Sequence, residues 1–232
     1  CPFNERLEAV MRVVNNHADK TGKKVLYAVN ITDEIDQMWR NLDLMNDVGA
    51  NCAMVCVKSV GLTGLRAVRD CSKALIHGHR AGWGVLSRSP DIGISFDVMQ
   101  KLWRLAGVDH IHVNGLASKF TETDAVVAQS ARSVQKPVCS EGGASHIAMP
   151  VYSSGQTAWQ IESAGALLGN EDYIFCAGGG IMSHPKGASA GVVALKQAAE
   201  AARLGISIEE HALKHPELSL ALETFKKPLI EI

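Results

Sequence analysis

YIFCAGGGIMSHPKGASAG, residues Tyr173 to Gly191, is the stretch on which the reading of the fold turns. It opens on a short buried strand, Tyr173 to Ala177, and passes through Gly178, Gly179 and Gly180. A polar loop with His184 and Lys186 follows, then a helix of small residues. Glycines after a strand let the backbone turn with its N–H groups directed at one spot, which is how an oxyanion or a phosphate is held without a side chain. The run is neither GxGxxG nor a P-loop, and taken alone it also fits a plain strand-to-helix turn.

The same rhythm of strand, turn and helix repeats upstream. Apolar residues at Leu7, Val10, Met11, Val14 and Ala18 predict a helix over Asn4 to Lys20, closed by Gly22. Strand Lys24 to Ile31, helix Asp33 to Val48 and strand Cys52 to Val57 follow. After a loop with Gly61 and Gly64 come a helix to Lys73 and strand Ala74 to Ala81, then helix Ile92 to Leu105 and strand Asp109 to Val113. Helix Asp124 to Val134, strand Met149 to Ser153 and helix Thr157 to Leu168 lead into the opening stretch, and helix Gly191 to Leu204 leads out of it. Residues 207–225 form a C-terminal helical cap. Strands that alternate with helices pair in parallel through right-handed crossovers. Eight such strands close a (β/α)8 barrel, and an open doubly wound sheet is the alternative. Six strands in a sequence that begins in mid-pattern on CPF point to a barrel without its first two strands.

Composition narrows the class. The 232 residues are 47% hydrophobic and 20% charged with a formal net charge of -1, the profile of a globular protein with no electrostatic pull on nucleic acid. No apolar run reaches the roughly 18 residues that span a bilayer, and no signal peptide is legible. Cysteines at 1, 52, 56, 71, 139 and 176 show no CxxC pair and no framework spacing, so they read as reduced thiols of a cytoplasmic protein.

Two strands end in HxH, at His77 and His79 and at His110 and His112. Side chains at i and i+2 share a face, so each pair can point into a barrel mouth, where barrel active sites are built. The competing readings are histidines hydrogen-bonded in the core and the ligands of a zinc hydrolase. Zinc sites of that kind want a further carboxylate or lysine, and the last strand here ends in glycines. Lys119, in the loop NGLASKFTE, can close over a substrate and stabilise an enolate or carboxylate; taken alone it reads as a solvated loop lysine. Ser153, Ser154 and Gly155 end the next strand, at the place where barrels often bind phosphate, and with Gly178 and Gly179 they make a coherent anion pocket.

In order and spacing, LIHGHRAGWG, AGVDHIHVNG with Lys119 after it, PVYSSGQ and AGGGIMSHPKGASAGVVAL resemble the C-terminal barrel of the RuBisCO large-subunit superfamily. The resemblance covers essentially the whole chain. It departs from the carboxylases where Trp83 stands in place of a second histidine after HRA, where Ser153, Ser154 and Gly155 replace SGG, and in the VNGLASK loop, which point toward the RuBisCO-like (form IV) proteins.

The resemblance implies a RuBisCO-type (β/α)8 TIM barrel. Residues 1–232 would run from about the third strand to the eighth plus the cap, with the first strands and the N-terminal α+β domain outside this chain. It assigns catalytic roles to His79, Lys119 and His112. Arg80, His112, Ser153, Gly155, Gly178 and Gly179 would hold substrate and phosphate. The implied cofactor is Mg2+ with a carbamylated lysine, whose ligands would lie before Cys1. The implied activity is enolisation of a phosphorylated sugar-derived ketone or keto acid, of tautomerase, isomerase or decarboxylase type, with no CO2 fixation. A genuine carboxylase and a non-catalytic phosphosugar-binding fragment are the alternatives. The implied partner is a second copy of the chain, in a homodimer or higher homo-oligomer.

Overall fold

A computed structural model describes residues 1–89, 91–118, 122–139 and 145–231. The chain falls into two compact units, Cys1–Ile111 with Lys136–Ala148, and His112–Gln135 with Met149–Ile232.

In the first unit α1 (Phe3–Thr21) ends at Gly22, whose φ of 69° is the left-handed stop the sequence predicts. Then come β1 (Ala28–Asn30), α2 (Ile35–Asp47), β2 (Cys52–Cys56), α3 (Val57–Cys71), β3 (Leu75–His79), α4 (Gly84–Ser87) and α5 (Phe96–Leu105). The next strand, β4 (His110–Asn114), begins in this unit and continues into the other. All pairings are parallel, with Val29 opposite Ala53, Met54 opposite His77, and His77 opposite His110. The strands read as near-continuous apolar runs because both faces are covered, which leaves Val29, Val55 and Ile76 fully buried.

Three of the boundaries that differ from the sequence reading have a clear local reason. Lys24, Val25 and Leu26 stay exposed outside β1, so the first strand is four residues shorter at its start. Ser95 accepts the N–H of Val98 and caps α5 there, leaving Ile92 outside with 80% of its surface exposed. Helix α3 begins directly after β2 and breaks at Gly61, whose φ of 66° admits a kink where a loop was expected.

The second unit holds the rest of β4, then α6 (Asp124–Val134), β5 (Met149–Tyr152), a 3-10 turn (Ala158–Gln160), α7 (Ile161–Leu168), β6 (Ile174–Phe175), α8 (Gly178–Met182), α9 (Gly187–Leu204), α10 (Ile208–Ala212) and α11 (Pro216–Thr224). A capping box between Thr157 and Gln160 starts the turn that feeds α7. Through β4 the six strands follow one another in chain order in a single sheet, β1 to β6. The three glycines turn out to be helical: they open α8, and α9 starts four residues before the expected Gly191. The reason is close packing. A Cβ on Gly191 would lie 2.5 Å from the carbonyl oxygen of Ile181, so only glycine lets α9 pass this close to the end of α8. Ile208, Ala212 and Leu218 of the cap pack with Ala198 of α9 and with Ala158 and Ile161 in one buried cluster. Each large aliphatic side chain buried in this way contributes about 1.5–3 kcal/mol.

Candidate functional site

The first unit contributes the end of β3 and the start of β4. Register places Met54, His77 and His110 in one layer across three strands, and Cys56 with His79 two residues nearer the strand ends. The pattern splits the first HxH pair by depth. His77 and His110 are both 6% exposed, with their rings edge to face at 5.6 Å. Burial, helped by His110 and His79, pushes the pKa of His77 down to about 4, and burial lowers His110 as well against the opposing pull of Asp109. These two are neutral core histidines, the competing reading for an HxH pair. His79 is half-buried at the strand end, and burial lowers its pKa too. Its Nδ1 accepts the N–H of Ala81 at 3.2 Å, so the neutral ring carries its proton on Nε2.

Arg80 follows at once and is 6% exposed, with its guanidinium 4.8 Å from the Phe96 ring centre and 5.9 Å from that of Trp83. Trp83, Phe96 and Trp103 form an aromatic group with centroids 5.7–6.3 Å apart behind it. Trp83 is therefore part of the wall on which Arg80 is stacked.

The second unit contributes the end of β4 and the loops after β5 and β6. His112 and Ser153, both predicted site residues, meet here: Nδ1 of His112 lies 2.9 Å from Oγ of Ser153. Ser154 and Gly155 take φ of 73° and 81°, which turns the chain sharply after β5 and leaves Gly155 exposed. The side chain that organises this turn is one the sequence reading passed over. Gln156 is 1% exposed; its amide donates to the carbonyl of Leu116 at 3.0 Å, and its carbonyl accepts the Leu116 N–H at 3.2 Å. It clamps the loop after β5 to the loop after β4. A Cβ on Gly115 would stand 2.2 Å from both Gln156 Nε2 and the Ser153 carbonyl oxygen, so the clamp requires glycine there. Asp124 adds a second tie by accepting the Ala117 N–H at 2.6 Å. Neither Gln156 nor Asp124 has a periodic signature, because each acts through one long-range contact.

Gly178 and Gly179 are exposed, and nothing lies within 4 Å of the Cβ that either would carry. In the first turn of a helix the N–H groups have no intrahelical acceptor, so these two donors are left unused by α8 itself. His184 is structural: its Nδ1 accepts the Lys186 N–H at 3.1 Å, and its Nε2 donates to the Glu217 carbonyl at 3.0 Å. Lys119 lies outside the described residues.

The strand ends do not fit Mg2+. That hard ion takes oxygen ligands, usually carboxylates, and among the described residues the one convergence of potential metal ligands is Glu200, His211 and His215, on the C-terminal helices.

Parallel strands that follow one another in chain order with helices between them have the make-up of a (β/α) barrel. Residues 1–225 match the family model of the ribulose bisphosphate carboxylase large chain, catalytic domain, and the chain belongs to that family. It is 50% identical over 222 residues to a 3-oxo-isoapionate-4-phosphate transcarboxylase/hydrolase of Xanthobacter autotrophicus, covering 96% of this chain and 53% of the relative. It is 40% identical to a 3-oxo-isoapionate-4-phosphate decarboxylase of Rhizobium etli, covering 97% of this chain and 54% of the relative. With a ribulose bisphosphate carboxylase of Archaeoglobus fulgidus the identity is 37%, covering 96% and 54%. The chain spans about half the length of the curated relatives it matches. Among solved structures, a RuBisCO-like protein from Burkholderia fungorum superposes with a TM-score of 0.92 at 39% identity, over 97% of this chain and 55% of that one. A dimeric archaeal RuBisCO from Hyperthermus butylicus gives 0.85 at 32%, over 98% and 55%. The fold is the RuBisCO-type barrel, of which the described residues carry six strands.

Proposed function

We propose that the protein containing this chain is a RuBisCO-like enzyme that removes the carboxylate of a phosphorylated, branched 3-oxo sugar acid of the 3-oxo-isoapionate 4-phosphate class. The observation that carries the reading is the order of identities: 50% and 40% to enzymes named for that substrate, against 37% to a carboxylase. Of the three types expected from the sequence, tautomerase, isomerase and decarboxylase, the name of the Rhizobium etli relative favours the decarboxylase.

The chemistry asks for three things that these residues can supply. The phosphate needs donors, and the second unit offers the N–H groups of Gly178 and Gly179, the Ser153 hydroxyl with His112 beside it and the turn at Gly155, while the first unit offers the Arg80 guanidinium as a candidate phosphate contact of its own. When the bond to the carboxylate breaks, its electron pair passes into the 3-oxo carbonyl to give an enolate, and CO2 departs. His79, neutral with its proton on Nε2, can donate a hydrogen bond to that oxygen, and Lys119 can bring a positive charge to it. One proton from water then returns to the carbon that lost the carboxylate, which gives the ketone. Mg2+ with a carbamylated lysine would polarise the carbonyl when bound, and no step here passes through it. Assembly as a homodimer or higher homo-oligomer is part of the proposal, in line with the dimeric archaeal relative.

The test is turnover by the full-length protein. Incubation with 3-oxo-isoapionate 4-phosphate should release the carboxylate and leave a phosphorylated ketone, seen by mass spectrometry. Fixation of labelled CO2 onto ribulose bisphosphate, with no reaction on the 3-oxo acid, would establish the carboxylase instead.

A further inference from the structure

The C-terminal helices hold a second cluster of ligating side chains that the proposed reaction does not use. Glu200 on α9, His211 on α10 and His215 at the start of α11 bring a carboxylate oxygen and two imidazole nitrogens within 4.8 Å of one another. The histidines are four residues apart, and their rings stack at 3.9 Å with planes 25° apart. His211 is 7% exposed and its Nε2 has no hydrogen-bond partner; the Glu200 carboxylate faces it at 3.6 Å. A buried imidazole nitrogen without a hydrogen bond is costly, so a ligand arriving there gains what folding left unmet.

The backbone under the three donors is already set. Ile208, Ala212 and Leu218 share one buried cluster with Ala198 of α9. Gln197 donates to the Glu217 carboxylate at 3.0 Å and accepts the Leu218 N–H at 3.0 Å. Glu200 is exposed and His215 half-buried, which leaves an open side through which an ion and its waters can enter.

We propose that Glu200, His211 and His215 bind a divalent first-row transition metal ion, zinc being the best match, that clamps α10 and α11 onto α9. Two imidazoles and one carboxylate suit zinc with water as a fourth ligand, and the nitrogen donors select against Mg2+ and Ca2+. Bonds of 2.0–2.1 Å put tetrahedral ligands about 3.4 Å apart, so Glu200 and His215, the two accessible side chains, rotate inward as the ion binds. Glu200 lies thirteen residues along α9 from Gly187, about 20 Å at the helical rise, so the ion acts on the stability of the cap.

Titration of untagged full-length protein with ZnCl2, with thiols alkylated and excess Mg2+ present, tests this. One zinc should bind per chain and raise the melting temperature. Glu200→Gln and His215→Gln should each fold as wild type without zinc, bind it at least tenfold more weakly, and lose the thermal shift. Both sites are solvent-accessible, which is why the buried His211 is left in place. The proposal is overturned if the wild type shows no saturable binding, or if either variant keeps wild-type affinity.

Discussion

The end of β3 in the first unit and the loops after β5 and β6 in the second are built from opposite materials. At His77, His110 and Arg80 the polar groups are large, titratable and at most 6% exposed, held by ring contacts and the aromatic wall of Trp83, Phe96 and Trp103. At Ser153, Gly155, Gly178 and Gly179 the side chains are small or absent, and what is offered is a hydroxyl and backbone N–H groups. Buried polar side chains cost desolvation that packing must offset, so that region should respond to pH and to truncation. A backbone site has little to truncate. It should respond to added atoms.

The comparison breaks hardest at Gly115. Gly115→Ala puts a methyl group 2.2 Å from Gln156 Nε2 and the Ser153 carbonyl oxygen, so Gln156 must leave its pocket; urea unfolding should show a loss of about 3 kcal/mol or more. Unfolding midpoints like the wild type's would mean that the clamp is dispensable.

Acid probes the other region. His77 ordinarily titrates at 6.5 and is pushed to about 4 in the folded chain, so between those values the unfolded state takes up a proton that the native state refuses. Stability is unaffected above pH 6.5, falls as pH drops through that window, and levels off below about 4. The loss should be on the order of 2–3 kcal/mol, and His77→Phe, which cannot titrate, should make the profile shallower, leaving the smaller acid sensitivity of His110 and His79. A wild-type curve that matches the variant's would mean that His77 is not desolvated.

Arg80→Ala should weaken binding of a phosphorylated ligand by about 1.5–3 kcal/mol in calorimetry if the guanidinium contacts phosphate. Arg80→Lys, which keeps the charge and loses the planar stack, separates that contact from the cation–π packing on Phe96. Unchanged affinity in both would assign Arg80 to the wall alone.

The smallest effects on stability fall in the second region. Ser153→Ala removes the contact to His112 and should cost about 1 kcal/mol. Gly179→Ala should stabilise by about 0.5–1 kcal/mol, because alanine suits a helix better and nothing crowds its methyl group, yet it should weaken phosphate binding. A Gly179→Ala variant with full affinity would mean that the phosphate does not occupy the space beside this Cα.

Much of this was legible in the sequence. Alternation of apolar runs with amphipathic stretches placed all six strands, and α6 matches the expected Asp124–Val134 at both ends, where Thr123 caps its start. Terminal residues misled where a local cap or glycine overruled periodicity, at Ser95, Gly61 and Gly178. The HxH spacing marked His79 and His112 for the site, and of these only His79 ends its strand; His112 is the middle residue of β4 and 9% exposed. It could not separate them from His77 and His110, because two residues along a strand change depth and leave the face unchanged.

What the sequence by itself determined is therefore the order and direction of the elements, the family, and the residue types at the strand ends, since all of these follow from period, spacing and local chemistry. What only the tertiary structure decided is which polar group is buried, which is open and which is clamped. Burial, hydrogen bonding by Gln156 across 40 residues, and the meeting of Glu200 with His211 and His215 depend on distances between segments far apart in the chain, which no local pattern encodes.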